Sequence, residues 1–210
     1  MSSIVWEIST EAATVAVDTL CTDGHGNPVG LISKAFIVPH LKLVIATTGN
    51  LQILEDYFLV LNSKPIRGSS DLVLKAPEIL RNLSAVDLVR PDGSQVTTSV
   101  FQFGFSEVSG EMEGFMFHSG SGFSAVKLDY GTSYKPPCTL LGEHEPTTKG
   151  WIVQVMASQR YHQELLPFES RVHIGGEILM FRLENGSISV EELCPFQDRD
   201  EVAESIFGKD

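Results

Sequence analysis

The sequence predicts an α+β fold in which two sheets are covered by helices. Three observations carry this. Apolar residues alternate with polar ones from the N-terminus to Thr48, the period turns helical directly afterwards, and the same exchange recurs in the second half before a closing pair of alternating runs. A length of 210 residues suits one compact domain, 1–210, with an acidic tail from about 197 that is either frayed or a short helix.

The elements follow in order. "SIVWEIS" puts Ile4, Trp6 and Ile8 on one face, and "ATVAVDTLCT" does the same with Val15 and Val17, so a hairpin turning near Thr10 to Ala12 opens the fold. "KAFIVPHLKLVIATTG" reads as a second strand pair, broken at Pro39-His40 because proline removes a donor and favours a turn. In "NLQILEDYFLVL", Leu51, Leu54, Phe58 and Leu61 repeat at helical spacing behind Asn50, a good N-cap. "PEILRNLSAVDLV" reads as another helix with Pro77 near its first turn. "TTSVFQFGFSEV" and "MEGFMFHSG" read as strands around the turn "SGE", and "GWIVQVMASQRYHQELL" is a late helix. "GEILMFRLENGSISVEEL" is a closing hairpin whose Asn185-Gly186 pair suits a tight primed turn.

Bulk properties exclude several classes of function. A formal net charge of -12 repels phosphate backbones and anionic lipid, so neither nucleic acid nor a membrane surface is expected as a partner. No apolar run approaches the roughly 20 residues that cross a bilayer, and "MSSIVWEIST" lacks the basic flank and apolar core of a signal peptide. A cytoplasmic location is the expectation. Cys21, Cys138 and Cys194 are odd in number and show no CxxC spacing, which suggests neither a disulfide framework nor a zinc site.

Local motifs for other chemistries are weak. "GEHEP" carries metal-capable Glu143, His144 and Glu145, but an isolated acidic loop is usually solvated, and no metal is assigned. "HSGSG" misses the GxSxG nucleophile elbow because Ser119 stands where the first glycine is needed. "TDGHGNPVG" lacks dinucleotide or P-loop spacing and precedes no helix, so no cofactor is assigned either. That loop nevertheless joins two charged residues, Asp18 at the end of an apolar strand and Lys34 at the start of the next. Taken singly, each reads as an ordinary turn or strand-end residue.

Taken together they resemble a family. If Met1 is removed, Ser2 becomes the first residue, and Asp18, Lys34 and the "TGN" from Thr48 to Asn50 fall in register with a known catalytic set. "GSGF" from Gly120 and the glycine pair of "IGGEILMFRLENGSI" fit the same pattern. The chain thus resembles the proteasome-type N-terminal nucleophile hydrolases, the superfamily of proteasome β subunits and their bacterial relatives. The resemblance implies a four-layer αββα sandwich of two antiparallel sheets. It implies Ser2 as nucleophile, Asp18 and Lys34 as its electrostatic partners, Gly49 as oxyanion donor and Ser121 beside the terminal amine. It also implies a peptide or small amide substrate and a homo-oligomer of the kind that closes into rings.

The chemistry supplies an independent reason for these residue types. A hydroxyl is a weak nucleophile and needs a base within reach, and a chain-terminal residue carries one in its own α-amine. Its unperturbed pKa of about 7.7 to 8.0 suits general base work near neutral pH. A Lys34 ammonium ~4 Å away lowers that value further, since like charges interact by roughly 4 kcal/mol at an effective dielectric near 20. Asp18 holds Lys34 in place, and the Gly49 N–H, at the start of the helix that Asn50 caps, meets the developing oxyanion.

The sequence departs from the family in two ways. The nucleophile is Ser2 where the family has Thr, which loses the methyl that restricts the rotamer. The family also places an Asp and a Ser shortly before its late glycine pair to hold the amine, whereas "SRVHIGG" puts Arg171 and Ile174 there, with Ser170 and His173 as the polar neighbours. Two functions therefore stand: a peptidase or amidase working through an acyl-enzyme on Ser2, or a catalytically silent proteasome-like assembly subunit.

Overall fold

The computed structural model describes residues 2–84, 96–140, 148–184 and 186–208. Strands β1 (Ile4–Ile8) and β2 (Ala12–Asp18) form the opening antiparallel hairpin, with Ile4 opposite Val17 and Trp6 opposite Val15. Past Asp18 the chain resumes as β3 (Leu20–Thr22), which pairs with β4 (Pro28–Leu31) around the loop 23–27. Asp23 closes that loop: its carboxylate accepts from the backbone N–H groups of His25 and Asn27 and from the Asn27 side-chain amide, at 2.8, 2.9 and 3.0 Å. Strands β5 (Ala35–Val38) and β6 (Leu43–Thr48) then pair across a short 3-10 turn at Pro39–Leu41.

Helix α1 (Leu51–Ser63) follows at once, and the Asn50 side chain caps it by accepting from the Gln52 N–H at 3.0 Å. Helix α2 (Ser69–Leu83) starts at Ser69, so Pro77 stands in its interior and not in its first turn. The cap comes from far along the chain. Glu107 accepts from the N–H groups of Ser69 and Ser70 at 2.6 and 3.0 Å, satisfying donors that a helix start leaves open. Residues 85–89 of the expected helix lie outside the described residues.

Strands β7 (Ser99–Phe105) and β8 (Met112–His118) pair as the alternation predicts, and two strands the sequence did not announce follow, β9 (Ala125–Lys127) and β10 (Gly131–Lys135). Helix α3 (Lys149–Glu164) is capped by Thr148, whose hydroxyl accepts from the Trp151 N–H at 3.1 Å. The closing hairpin is β11 (Glu177–Glu184) with β12 (Ser187–Pro195); Asn185 of the expected Asn-Gly turn lies outside the described residues. The acidic tail is a helix, α4 (Arg199–Phe207), moored by a two-pronged Arg160 to Asp198 pair at 2.6 and 2.7 Å and by Arg199 to Glu177 at 2.7 Å.

Two five-stranded antiparallel sheets result, ordered β10-β1-β2-β11-β12 and β5-β6-β7-β8-β9, with β3-β4 as a separate ribbon. Their stacking follows from strands that are apolar on both faces. Ile4, Trp6, Val15 and Val17 meet Val44, Phe101 and Phe103 between the sheets, while Val5, Ala16, Ile178 and Met180 face Trp151, Val155 and Met156 of α3. On the far side, Leu43, Ile45, Val100 and Phe117 pack against Leu54, Tyr57, Leu72 and Leu80 of α1 and α2. The layers run α3, sheet, sheet, α1 with α2, the expected αββα order. Among the described residues, no helix is long and apolar enough to cross a membrane.

Candidate active site

The short turn between β2 and β3 fixes the position of Asp18. The preceding residues of β2 are locked between β1 and β11, so the carboxylate at the strand end is wholly buried, and it must be hydrogen-bonded to remain there. Three donors reach it. Lys34 Nζ and the Ser3 N–H each lie 2.8 Å from one of its oxygens, and the Gly175 N–H lies 3.2 Å away. The Lys34 side chain is only 4 % exposed, so this is an interior ion pair in which the anion is held by backbone as well as by the lysine. The Lys34 carbonyl is itself fixed by the Thr47 N–H at 3.0 Å, which ties the lysine to β6.

The other end of β6 delivers Gly49. Its φ of +107° is a conformation that glycine adopts freely, and a Cβ there would lie 2.3 Å from the Thr97 carbonyl oxygen. The neighbouring Asn50 N–H is committed to Thr98 Oγ1 at 3.1 Å, whereas the Gly49 N–H has no acceptor among the described residues. Thr98 is held in turn, its N–H donating to Ser119 Oγ at 3.0 Å. A second brace lies alongside, where Lys135 Nζ donates to Ser99 Oγ at 2.8 Å and the same hydroxyl sits 3.0 Å from His118 Nδ1. Burial lowers the Lys135 ammonium's affinity for its proton below the usual lysine value.

Ser2, Lys34 and Gly49 line one cleft of about 690 Å³. Its walls are the β3–β4 ribbon from Leu20 to Gly26, the first turn of α1, and the segment from Phe168 to His173. Asp18 lies beneath this cleft, behind Lys34. Ser121 is not brought to it. That residue sits on the exposed 3-10 turn Ser119–Ser121, where its hydroxyl donates to the His118 carbonyl at 3.0 Å. The serine linked to the Gly49 turn, through Thr98, is Ser119, which sequence reasoning weighed only as a misplaced elbow residue.

The segment before the glycine pair also differs from the sequence expectation. Val172 and Ile174 turn into the core, while Arg171 and His173 line the cleft. Ile174 is therefore no apolar intruder at the site; alternation along an extended stretch puts the polar neighbours there instead. Arg171 is anchored by its Nε, which donates to the Leu166 carbonyl at 2.7 Å, and its guanidinium lies 5.9 Å from the centre of the Phe168 ring. The His173 ring packs edge-on against Phe168 with centroids 4.9 Å apart. Burial chiefly holds its pKa below the usual histidine value, helped by the positive chain terminus and Arg171 and opposed by Asp23. The Glu143–Glu145 loop lies outside the described residues.

No protein-family model matches the chain, and no curated protein matches it. Solved structures do share its fold. Anbu (ancestral beta-subunit) from Yersinia bercovieri aligns with a TM-score of 0.64 and 11% identity over 97% of this chain and 91% of that one. The Gly-1 mutant of Anbu from Hyphomicrobium sp. strain MC1 aligns with a TM-score of 0.61 and 12% identity over 98% of this chain and 93% of that one. These neighbours correct the family resemblance drawn from the sequence: Anbu proteins are proteasome-like but form a family distinct from the proteasome β subunits and relatives named there. At this identity the likeness shows the fold alone, and that fold is proteasome-related.

Proposed function

We propose that this chain is an N-terminal nucleophile hydrolase that cleaves peptide or amide bonds through an acyl-enzyme on Ser2, exposed by removal of Met1. The observation that carries the reading is the convergence of Ser2, Lys34 and Gly49 on one cleft above the buried Asp18–Lys34 pair. The Ser2 hydroxyl gives its proton to its own α-amine as Oγ attacks the substrate carbonyl carbon. The Lys34 ammonium favours both the neutral amine and the developing oxygen charge, and the Gly49 N–H receives the oxyanion. The amine then passes the proton to the leaving nitrogen as the C–N bond breaks, and an ester on Ser2 remains. Water attacks that ester with the amine again as base, releasing the acid and restoring the Ser2 hydroxyl.

Self-association into a closed homo-oligomer, a ring, is part of the same proposal and rests on the fold together with the prevalence of symmetric closure. Light scattering at micromolar concentration reads it, and a monomer throughout would remove it. A cytoplasmic location belongs to the proposal as well. The rival reading is a catalytically silent assembly subunit, and one observation favours it: Arg171 adds a cation to the cleft where the family pattern has an anion.

The experiment that separates the two is intact mass before and after a β-lactone or a peptide vinyl sulfone. The expected result is a chain lacking Met1 with one adduct on Ser2, no adduct in Ser2→Ala, and strongly reduced labelling in Lys34→Ala. Folded protein with a free Ser2 amine that resists several such electrophiles and cleaves no member of a broad peptide and acyl-amide panel overturns the hydrolase in favour of the silent subunit.

A further inference from the structure

Whether the Ser2 amine can act as a base depends on what its N–H groups meet. A neutral amine has one lone pair, and it must face the Ser2 hydroxyl, so a neighbouring group has to take the N–H groups and not the lone pair. The cleft-facing polar residues of the segment just before the late glycine pair are Glu169, Arg171 and His173, and the Glu169 carboxylate favours the ammonium form, which has no lone pair to offer. Arg171 has only donors to offer and repels an ammonium. His173 in its neutral form has an acceptor nitrogen.

We propose that His173 is a positioning residue for the Ser2 nucleophile: its neutral imidazole accepts a hydrogen bond from the α-amine and so leaves the lone pair aimed at Ser2 Oγ. The inference rests on the hydrolase reading for its catalytic meaning, while the contact itself does not. Three observations converge on it. His173 and Ser2 line the same cleft. One carboxylate joins their chain segments, since Asp18 accepts from the N–H that follows Ser2 and from the Gly175 N–H, two residues past His173. Finally, no hydrogen bond among the described residues occupies either ring nitrogen, although the ring is clasped between Phe168 and the Gly26 turn. Gly26 makes that clasp feasible, for at its φ of +88° a Cβ would lie 2.4 Å from His173 Nε2.

The charges around the ring set its behaviour with pH. Burial foremost, and then Arg171, disfavours the imidazolium, and Asp23 favours it. Glu55 and Glu169 also line the cleft, Lys34 is paired with Asp18, and His25 stands on the same rim. Since the ring's pKa lies below the ordinary histidine value, His173 is neutral and accepting at neutral pH and turns into a donor as pH falls through its lowered value. An imidazolium then repels the ammonium or spends the amine's lone pair. Acid therefore removes labelling through two protons, one on the amine and one on His173.

Two measurements on the Met1-trimmed chain test this. In the first, the His173 ring is titrated by NMR with the Ser2 amine free and with it acetylated. Acetylation removes a positive neighbour, so the midpoint is expected to rise by about half a unit or more, roughly threefold in proton affinity. An unchanged midpoint overturns the inference whatever the activity. In the second, β-lactone labelling of Ser2 is followed from pH 5 to 9. Wild type is expected to fall with a limiting slope of two on the acid side. His173→Gln, whose amide oxygen accepts without titrating, is expected to label within a few-fold of wild type at neutral pH with a slope of one. His173→Ala is expected to lose on the order of 10²-fold. His25→Gln is the control and keeps the steep limb. Identical pH profiles in wild type and His173→Gln overturn the positioning role. A wild type that never labels but shows the acetylation shift overturns the hydrolase reading and supports the contact.

Discussion

Replacing Asp18 by Asn isolates the charge at the centre of the site. The wild-type carboxylate is fully buried and faces a Lys34 side chain that is 4 % exposed at 2.8 Å. Removing one partner of such a pair strands the other's charge in the interior, which costs about 3–5 kcal/mol. For a chain of 210 residues each kcal/mol moves the melting temperature by about 2–4 °C, so a fall of about 6–20 °C is expected. The Asn oxygen still accepts from Ser3 or Gly175, which keeps the loss tied to the charge. Circular dichroism melts with urea midpoints at pH 7 are the assay, and Asp18→Asn/Lys34→Met is the companion variant. With no charge left to strand, the double variant is expected to return to within about 2 kcal/mol of wild type while Ser2 labelling stays strongly reduced. A single variant melting within about 2 °C of wild type, or a double variant no more stable than the single, refutes the reasoning.

Gly49→Ala is expected to label about 10²- to 10³-fold more slowly with its circular dichroism spectrum retained, because a Cβ 2.3 Å from the Thr97 carbonyl displaces the N–H proposed above as oxyanion donor; labelling at the wild-type rate removes Gly49 from the proposed site. Tyr57→Phe is expected to raise the melting temperature by about 2–4 °C or more, since its hydroxyl is buried without a partner among the described residues and an unsatisfied buried group costs about 1 kcal/mol or more. A lower melting temperature would reveal a partner. Asp198→Asn tests the mooring of α4. The Arg160 hydrogen bonds hold the Asp198 carboxyl below its usual range, against the opposing effect of burial. A depressed pKa means stability that is present above the unfolded value of about 3.9 and lost as pH falls through the folded one. Because Asp198 is about a third exposed, the gap from wild type at pH 7 is expected to be no more than about 1 kcal/mol. That gap closes below pH 4, and one that persists at pH 2 contradicts the pairing.

The layer order was legible because the strands advertise it. Ile4, Trp6 and Ile8 face one way while Val5, with Ala16 of β2 beside it, faces the other, and strands apolar on both faces need cover on both. Asn50 likewise announced α1 through its own side chain. The start of α2 was not legible because its cap, Glu107, lies 38 positions from Ser69, and local sequence carries no trace of so distant a carboxylate. Strand β10 was missed because Gly131 to Lys135 is nearly devoid of apolar residues and is held mainly by pairing to β1. At the candidate site, the nearness of Asp18 and Lys34 to each other and of Lys34 to Gly49 was legible by register, which a hairpin preserves. Ser119 and His173 depend on which way a turn and an extended stretch rotate, and a shift of one residue exchanges the face that meets the cleft.

The Asp18 carboxylate is also a clasp in time. It binds neighbours 15 and 16 residues away and one 157 residues away, so the anion under Lys34 is complete only when the first hairpin and the last are docked together. Contacts of such long separation form late, since the entropy of closing the intervening chain comes before any reward. A chain still emerging from synthesis holds only part of the donor set around Asp18. For the Ser2 nucleophile proposed above, competence is deferred until β11 has joined β2, because the Gly175 N–H that completes the set arrives only then.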